Sequence, residues 1–168
     1  MDELVEHVED ERGPGRLGLV QQLHPLAQAA QQTHVLAELV DVARHVLGGG
    51  HIDHAGATAE LAKRFKLPIE GPHEGDRYWI EQLPAQARSF GFGKAEKFEP
   101  DRWLQQGDTV QVGNETLEVS HCPGHTPGHV VFFSRAAQLC FVGDVLFAGS
   151  IGRTDFPRGN HDQLLDSI

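Results

Sequence analysis

Apolar and polar residues alternate over positions 109–112 and again over 115–119, on either side of Gly113-Asn114. A period of two around a two-residue turn predicts a β-hairpin. Positions 130–133 (Val-Val-Phe-Phe) and 139–142 (Leu-Cys-Phe-Val) are continuous apolar runs, the pattern of buried, paired strands. A short strand is also expected at 67–69. Elsewhere the period lengthens. Ala57, Leu61 and Phe65 recur every four residues and predict a helix laying that face on a sheet. Val35, Leu36, Leu39, Val40, Ala43, Val46 and Leu47 predict another helix over 33–47, ended by Gly48, Gly49 and Gly50. Between Glu74 and Phe90 the apolar positions Tyr78, Trp79, Leu83 and Phe90 suit helical or irregular segments interrupted at Pro84. Aromatics so placed serve core or lid packing more often than substrate contact.

Composition narrows the class. A chain of 168 residues with 39% hydrophobic content can bury one sizeable core. Its formal charge of −10 argues against a surface that tracks nucleic-acid phosphates. No apolar run is long enough to span a membrane, and the acidic start Met1-Asp2-Glu3 lacks the regions of a secretory signal, so a cytoplasmic location is expected by default. Cys122 and Cys140 imply no disulfide framework and are expected as thiols. Residues 1–50 stand apart: they contain no Phe, Trp, Tyr or Lys, and carry glutamine pairs and the breakers Pro14 and Pro25. Such a stretch is expected to be exposed, poorly ordered or helical chain. We read 1–50 as an atypical segment, the product of a frameshift, an alternative start or a faulty gene model, ahead of a domain over 51–168.

Candidate chemistry begins at His51-Ile52-Asp53-His54. A lone histidine is more often a surface or hydrogen-bonded core residue, but three donors in four positions suit zinc, iron or manganese. Two more donor clusters follow strand-like runs: His121-Cys122-Pro123-Gly124-His125-Thr126-Pro127-Gly128-His129, and Gly143-Asp144. In type, order and spacing these motifs resemble the metallo-β-lactamase superfamily, and within it the glyoxalase II-like branch. The stretch 152–159 (Gly-Arg-Thr-Asp-Phe-Pro-Arg-Gly) is similar to what short glyoxalase II-like hydrolases and persulfide dioxygenases carry at this point.

The resemblance covers 51–168 and implies an α/β fold, a partial four-layer αββα sandwich truncated at its C-terminal end. It implies two metal ions, zinc with iron or manganese as alternatives. His51 and His125 would hold one and Asp53 and His54 the other, with Asp144 bridging and Asp53 and Asp144 in catalytic roles. The implied reaction is hydrolysis of a small-molecule thioester, such as a 2-hydroxyacyl-glutathione conjugate, through a metal-bound hydroxide that Asp53 orients. Neither nucleic acid nor membrane is an implied partner.

Two departures qualify this. The family reads Thr-His-x-His-x-Asp-His, and its first histidine falls here on Gly49. The chain also stops at Ile168, ahead of the Gly-His strand end that supplies a last ligand. Two alternatives therefore stay open: an iron-dependent persulfide dioxygenase using His51, His125 and Asp144, and a non-catalytic remnant. Pro157-Arg158-Gly159 tilts the balance toward the hydrolase. His129 reads as a hydrogen-bonding support rather than a ligand, and His121 is open between the same roles. Cys122 reads as a small buried residue, and Arg153 as an ion-pair partner of Asp155 that fixes the loop below the metals.

Overall fold

The computed structural model describes residues 44–168, so the expectations for residues 1–43 lie outside the described residues. Strand β1 (His45–Val46) pairs in parallel with β2 (Ile69–Glu70), close to the short strand expected at 67–69. The last part of the helix expected over 33–47 is therefore extended chain. Its backbone is drawn into a ladder, with His45 N donating to Pro68 O at 2.8 Å and Leu47 N to Glu70 O at 2.9 Å. Pairing of His45 with Ile69 and of Val46 with Glu70 overrides a local helical period.

The loop after β1 leads into α1 (Ile52–Ala55) and α2 (Thr58–Phe65). Helix α2 does not bury the face expected of it. Thr58 and Ala59 are buried while Ala57 and Phe65 are exposed. The helix docks through small residues at its first turn, where Thr58 Oγ1 lies 3.1 Å from His45 Nε2. A 3-10 turn (Glu74–Asp76) then opens α3 (Arg77–Glu81) and α4 (Leu83–Phe90). Pro84 begins α4 rather than interrupting it, because a first-turn proline costs no intrahelical hydrogen bond.

Strands β3 (Thr109–Val112), β4 (Glu115–His121), β5 (Val130–Ser134) and β6 (Leu139–Phe141) form an antiparallel sheet in that order. The hairpin closes at Val112 and Glu115, as the alternation predicts. Of the two apolar runs, only β5 is buried. Cys140 and Phe141 of β6 are exposed, because β6 is the edge strand of this sheet. A small hairpin, β7 (Leu146–Phe147) with β8 (Ser150–Ile151), and a helix α5 (His161–Asp166) complete the described chain.

Three buried clusters fix the layers. Val110, Leu117, Val119, Val130 and Phe132 pack with Leu104 and Val46, between the two main sheets. Ala55, Ile80, Leu83, Ala87 and Ala95 join the helices on one side. Val131, which alternation turns to the other face of β5, packs with Cys122, Val145 and the fully buried Leu164 of α5. The order helix, sheet, sheet, helix is the αββα arrangement that the motifs implied. Among the described residues no helix is long and apolar enough to cross a membrane.

Candidate metal centre

Three loops at strand ends bring the donors together. The β1–α1 loop supplies His51, and α1 adds Asp53 and His54. The β4–β5 loop supplies His125, and the turn after β6 supplies Asp144. His51, His125 and Asp144 place ligand atoms within 4.8 Å of one another, and so do Asp53, His54 and Asp144. Asp144 is common to both groups. Its Oδ2 lies 3.0 Å from His54 Nε2 and 3.1 Å from His125 Nε2, and His54 Nε2 lies 3.8 Å from Asp53 Oδ2.

Protonation suits a cation. His125 Nδ1 donates to the Arg153 carbonyl at 2.8 Å, which leaves the Nε2 lone pair facing the centre. That Nε2 faces His51 Nδ1 at 3.0 Å, while the other nitrogen of His51 is buried without a partner. Burial, then the neighbouring His125, lowers the His51 pKa to about 4, so the ring is neutral and competent as a ligand at physiological pH. Burial pulls the Asp144 carboxyl upward, but the His54 hydrogen bond and the nearby imidazoles outweigh it and leave its pKa lowered. A buried neutral imidazole, a low-pKa carboxylate and two overlapping donor groups fit divalent metal ions.

His129 takes the supporting role expected of it: Asp144 N donates to its Nε2 at 3.1 Å, and burial lowers its pKa to about 4. His121 lies away from the donors, with Nε2 2.9 Å from Pro127 O and its ring stacked on His73 at 3.9 Å. Cys122 is buried. Arg153 and Asp155 do form an ion pair, at 2.6 Å. It is the Arg153 carbonyl, however, that reaches the centre.

Asp76 escapes a sequence reading. Fully buried, it accepts from Gly50 N at 2.8 Å, Thr126 Oγ1 at 2.8 Å and Gly128 N at 2.6 Å. One carboxylate thus ties the His51 loop to the His125 loop. Burial raises its pKa, with the three hydrogen bonds opposing. Trp79 and Phe156 were also not singled out for the centre, yet both rings meet His51 edge to face, at 4.2 and 4.9 Å between centroids.

The model of the metallo-beta-lactamase superfamily matches residues 46–168, and the chain belongs to that superfamily. Over 124 residues it is 45% identical to hydroxyacylglutathione hydrolase GloC of Haemophilus influenzae, covering 73% of this chain and 58% of that protein. It is 35% identical to the probable metallo-hydrolase YqgX of Bacillus subtilis, with the same coverage of 73% and 58%. The crystal structure of TTHA1623 in a di-iron-bound form superposes with a TM-score of 0.69 at 32% identity, covering 86% of this chain and 68% of that one. The chain spans little more than half the length of these curated relatives.

Proposed function

We propose that the chain carries the centre of a metal-dependent hydrolase of the glyoxalase II type, acting on a thioester such as an acyl-glutathione. The observation that carries this reading is the sharing of Asp144 between two donor groups, the arrangement a pair of adjacent ions requires. The likeness to the hydroxyacylglutathione hydrolase of Haemophilus influenzae supports the substrate class. His51, His125 and Asp144 would hold one ion, and Asp53, His54 and Asp144 the other. When bound, the ions would lower the pKa of water and polarise the acyl carbonyl.

The protein's own part is positioning. The Arg153 carbonyl and His129 fix the orientation of His125 and of the Asp144 backbone, and Trp79 and Phe156 exclude water from the buried side of His51. Asp53, the most exposed donor at 65% side-chain exposure, faces the open side, where its carboxylate can hold and orient a water. Hydrolysis joins one water oxygen to the acyl carbon, breaks the carbon–sulfur bond and returns a proton to the departing thiolate.

A second reading draws on the first group alone. Two imidazoles and a carboxylate, His51, His125 and Asp144, are the set that holds a single iron for oxygen chemistry, as in a persulfide dioxygenase. One experiment separates the two. Under the hydrolase reading, Asp53→Ala abolishes acyl-glutathione hydrolysis and lowers bound metal from about two ions to about one. Oxygen consumption with glutathione persulfide, and a single iron with or without Asp53, would establish the second reading instead.

A further inference from the structure

The cavity in front of the donors has a volume of about 700 Å³, well within the range of pockets that enclose a whole drug-sized ligand. His51, Asp53, His125 and Asp144 line its inner side, and Trp79, Phe90, Phe92, Phe147 and Phe156 line much of the rest. Phe90, Phe92 and Phe147 are 63%, 56% and 51% exposed. Three exposed phenyl rings lining one cavity are an apolar surface of the kind that marks a binding site.

Of the polar side chains on these walls, Gln86 and Arg153 are engaged already, and Tyr78, Gln82 and Ser89 stand beside them. Gln86 accepts from Ile52 N at 3.1 Å and donates to Trp79 O at 2.9 Å, and the Arg153 guanidinium is held by both oxygens of Asp155 at 2.6 Å. A peptidic thiol carrier, with its several carboxylates and amides, would lose more hydration against the aromatic walls than the few polar side chains beside them replace. An apolar group would lose none. A two- or three-carbon hydroxyacyl group, in turn, would leave most of the volume unfilled. Positive charge lies beside the aromatic walls instead: Arg158, which is not part of the cavity lining, sits over the Tyr78 ring at 4.1 Å. A guanidinium there suits a carboxylate of a carrier left outside.

We propose, resting on the hydrolase reading above, that this cavity takes the acyl half of the substrate and selects a bulky apolar acyl group, an aromatic ring or a medium-length alkyl chain, over a small hydroxyacyl group. The products are the apolar carboxylic acid and the free thiol, with water supplying the oxygen to the one and the proton to the other.

The test has two arms. In the first, the metal-free 168-residue chain is titrated with octanoate, 4-phenylbutyrate and lactate, followed by tryptophan fluorescence, for which Trp79 in the wall is the reporter. The apolar acids should bind at least about tenfold tighter than lactate, the scale of discrimination an apolar pocket achieves. Phe92→Asp, at an exposed position, should erase that preference. In the second arm, octanoyl-, phenylacetyl- and lactoyl-glutathione are compared as substrates of the metal-loaded chain, and kcat/KM should follow the same order. Lactate binding as tightly as the apolar acids, or a preference untouched by Phe92→Asp, overturns the proposal. No turnover of any thioester, with octanoate still preferred in the titration, overturns the hydrolase reading and leaves the cavity's preference standing.

Discussion

A Cβ built at Gly49 would meet His129 Cδ2 at 3.4 Å and Asp76 Oδ2 at 3.9 Å, ordinary contact distances, whereas one at Gly50 would meet Trp79 Cβ at 3.0 Å and Asp76 Cβ at 3.1 Å. Gly50 is held small by its neighbours and Gly49 is not. The residue at which the superfamily motif places a histidine is thus the one with room for a side chain. Gly49→His is expected to raise metal affinity by about tenfold or more, since even supporting partners of a ligand change affinity on that scale. Asp144→Asn should lower it at both ions. Metal retained after dialysis reads both, and no change in either variant would remove the ligand assignment. Asp76→Ala would strand three donors, Gly50 N, Gly128 N and Thr126 Oγ1. At about 1–3 kcal/mol for each buried group left unpaired, the expected loss is about 3 kcal/mol or more in urea unfolding. The donor residues themselves were legible because their motifs are local. Asp76 was not, because it stands just before α3 in no such motif. It makes no cap hydrogen bond, and its partners lie 26 to 52 residues away along the chain.

Elements divide in the same way. The β3–β4 hairpin and the strand β5 were legible, since alternation and a Gly-Asn turn are short-range signals. Which face an element buries was less so, because that depends on the partner. Helix α2 was expected to pack through Ala57, Leu61 and Phe65; only Leu61 of these is half-buried, and the buried residues are Thr58 and Ala59, while β6 was expected to be buried and is an exposed edge. Two truncations check this assignment. Leu83→Ala in α4, at a fully buried position beside Ile80 and Ala55, should cost about 2–5 kcal/mol. Phe65→Ala in α2, at a position 50% exposed, should fall within about 0.5 kcal/mol of the parent. Similar losses at the two positions in chemical denaturation would mean that α2 does pack through its phenylalanine.

Over the whole molecule, the compact unit that carries the centre runs from Val42 to Ile168, and the superfamily match begins at residue 46, ahead of His51. The reason lies in the packing of the residues just before the motif. Val46 contributes to the cluster between the sheets, Leu47 is 4% exposed, and Gly48 O accepts from Val130 N at 2.8 Å, tying the approach to His51 onto β5. Loss of these residues would release one end of the His51 loop, so a boundary at His51 itself would cut through the support of the centre. All three buried clusters, both donor groups and the Asp76 ties lie within 46–168. A chain beginning at Val42 is therefore expected to unfold in one cooperative transition and to bind as many metal ions as the 168-residue chain. A chain beginning at His51 is expected to bind fewer and to unfold at lower denaturant. Denaturation and metal analysis on the three chains check this directly. Fewer ions bound by the chain from Val42 than by the full chain would show that the earlier residues take part in the centre.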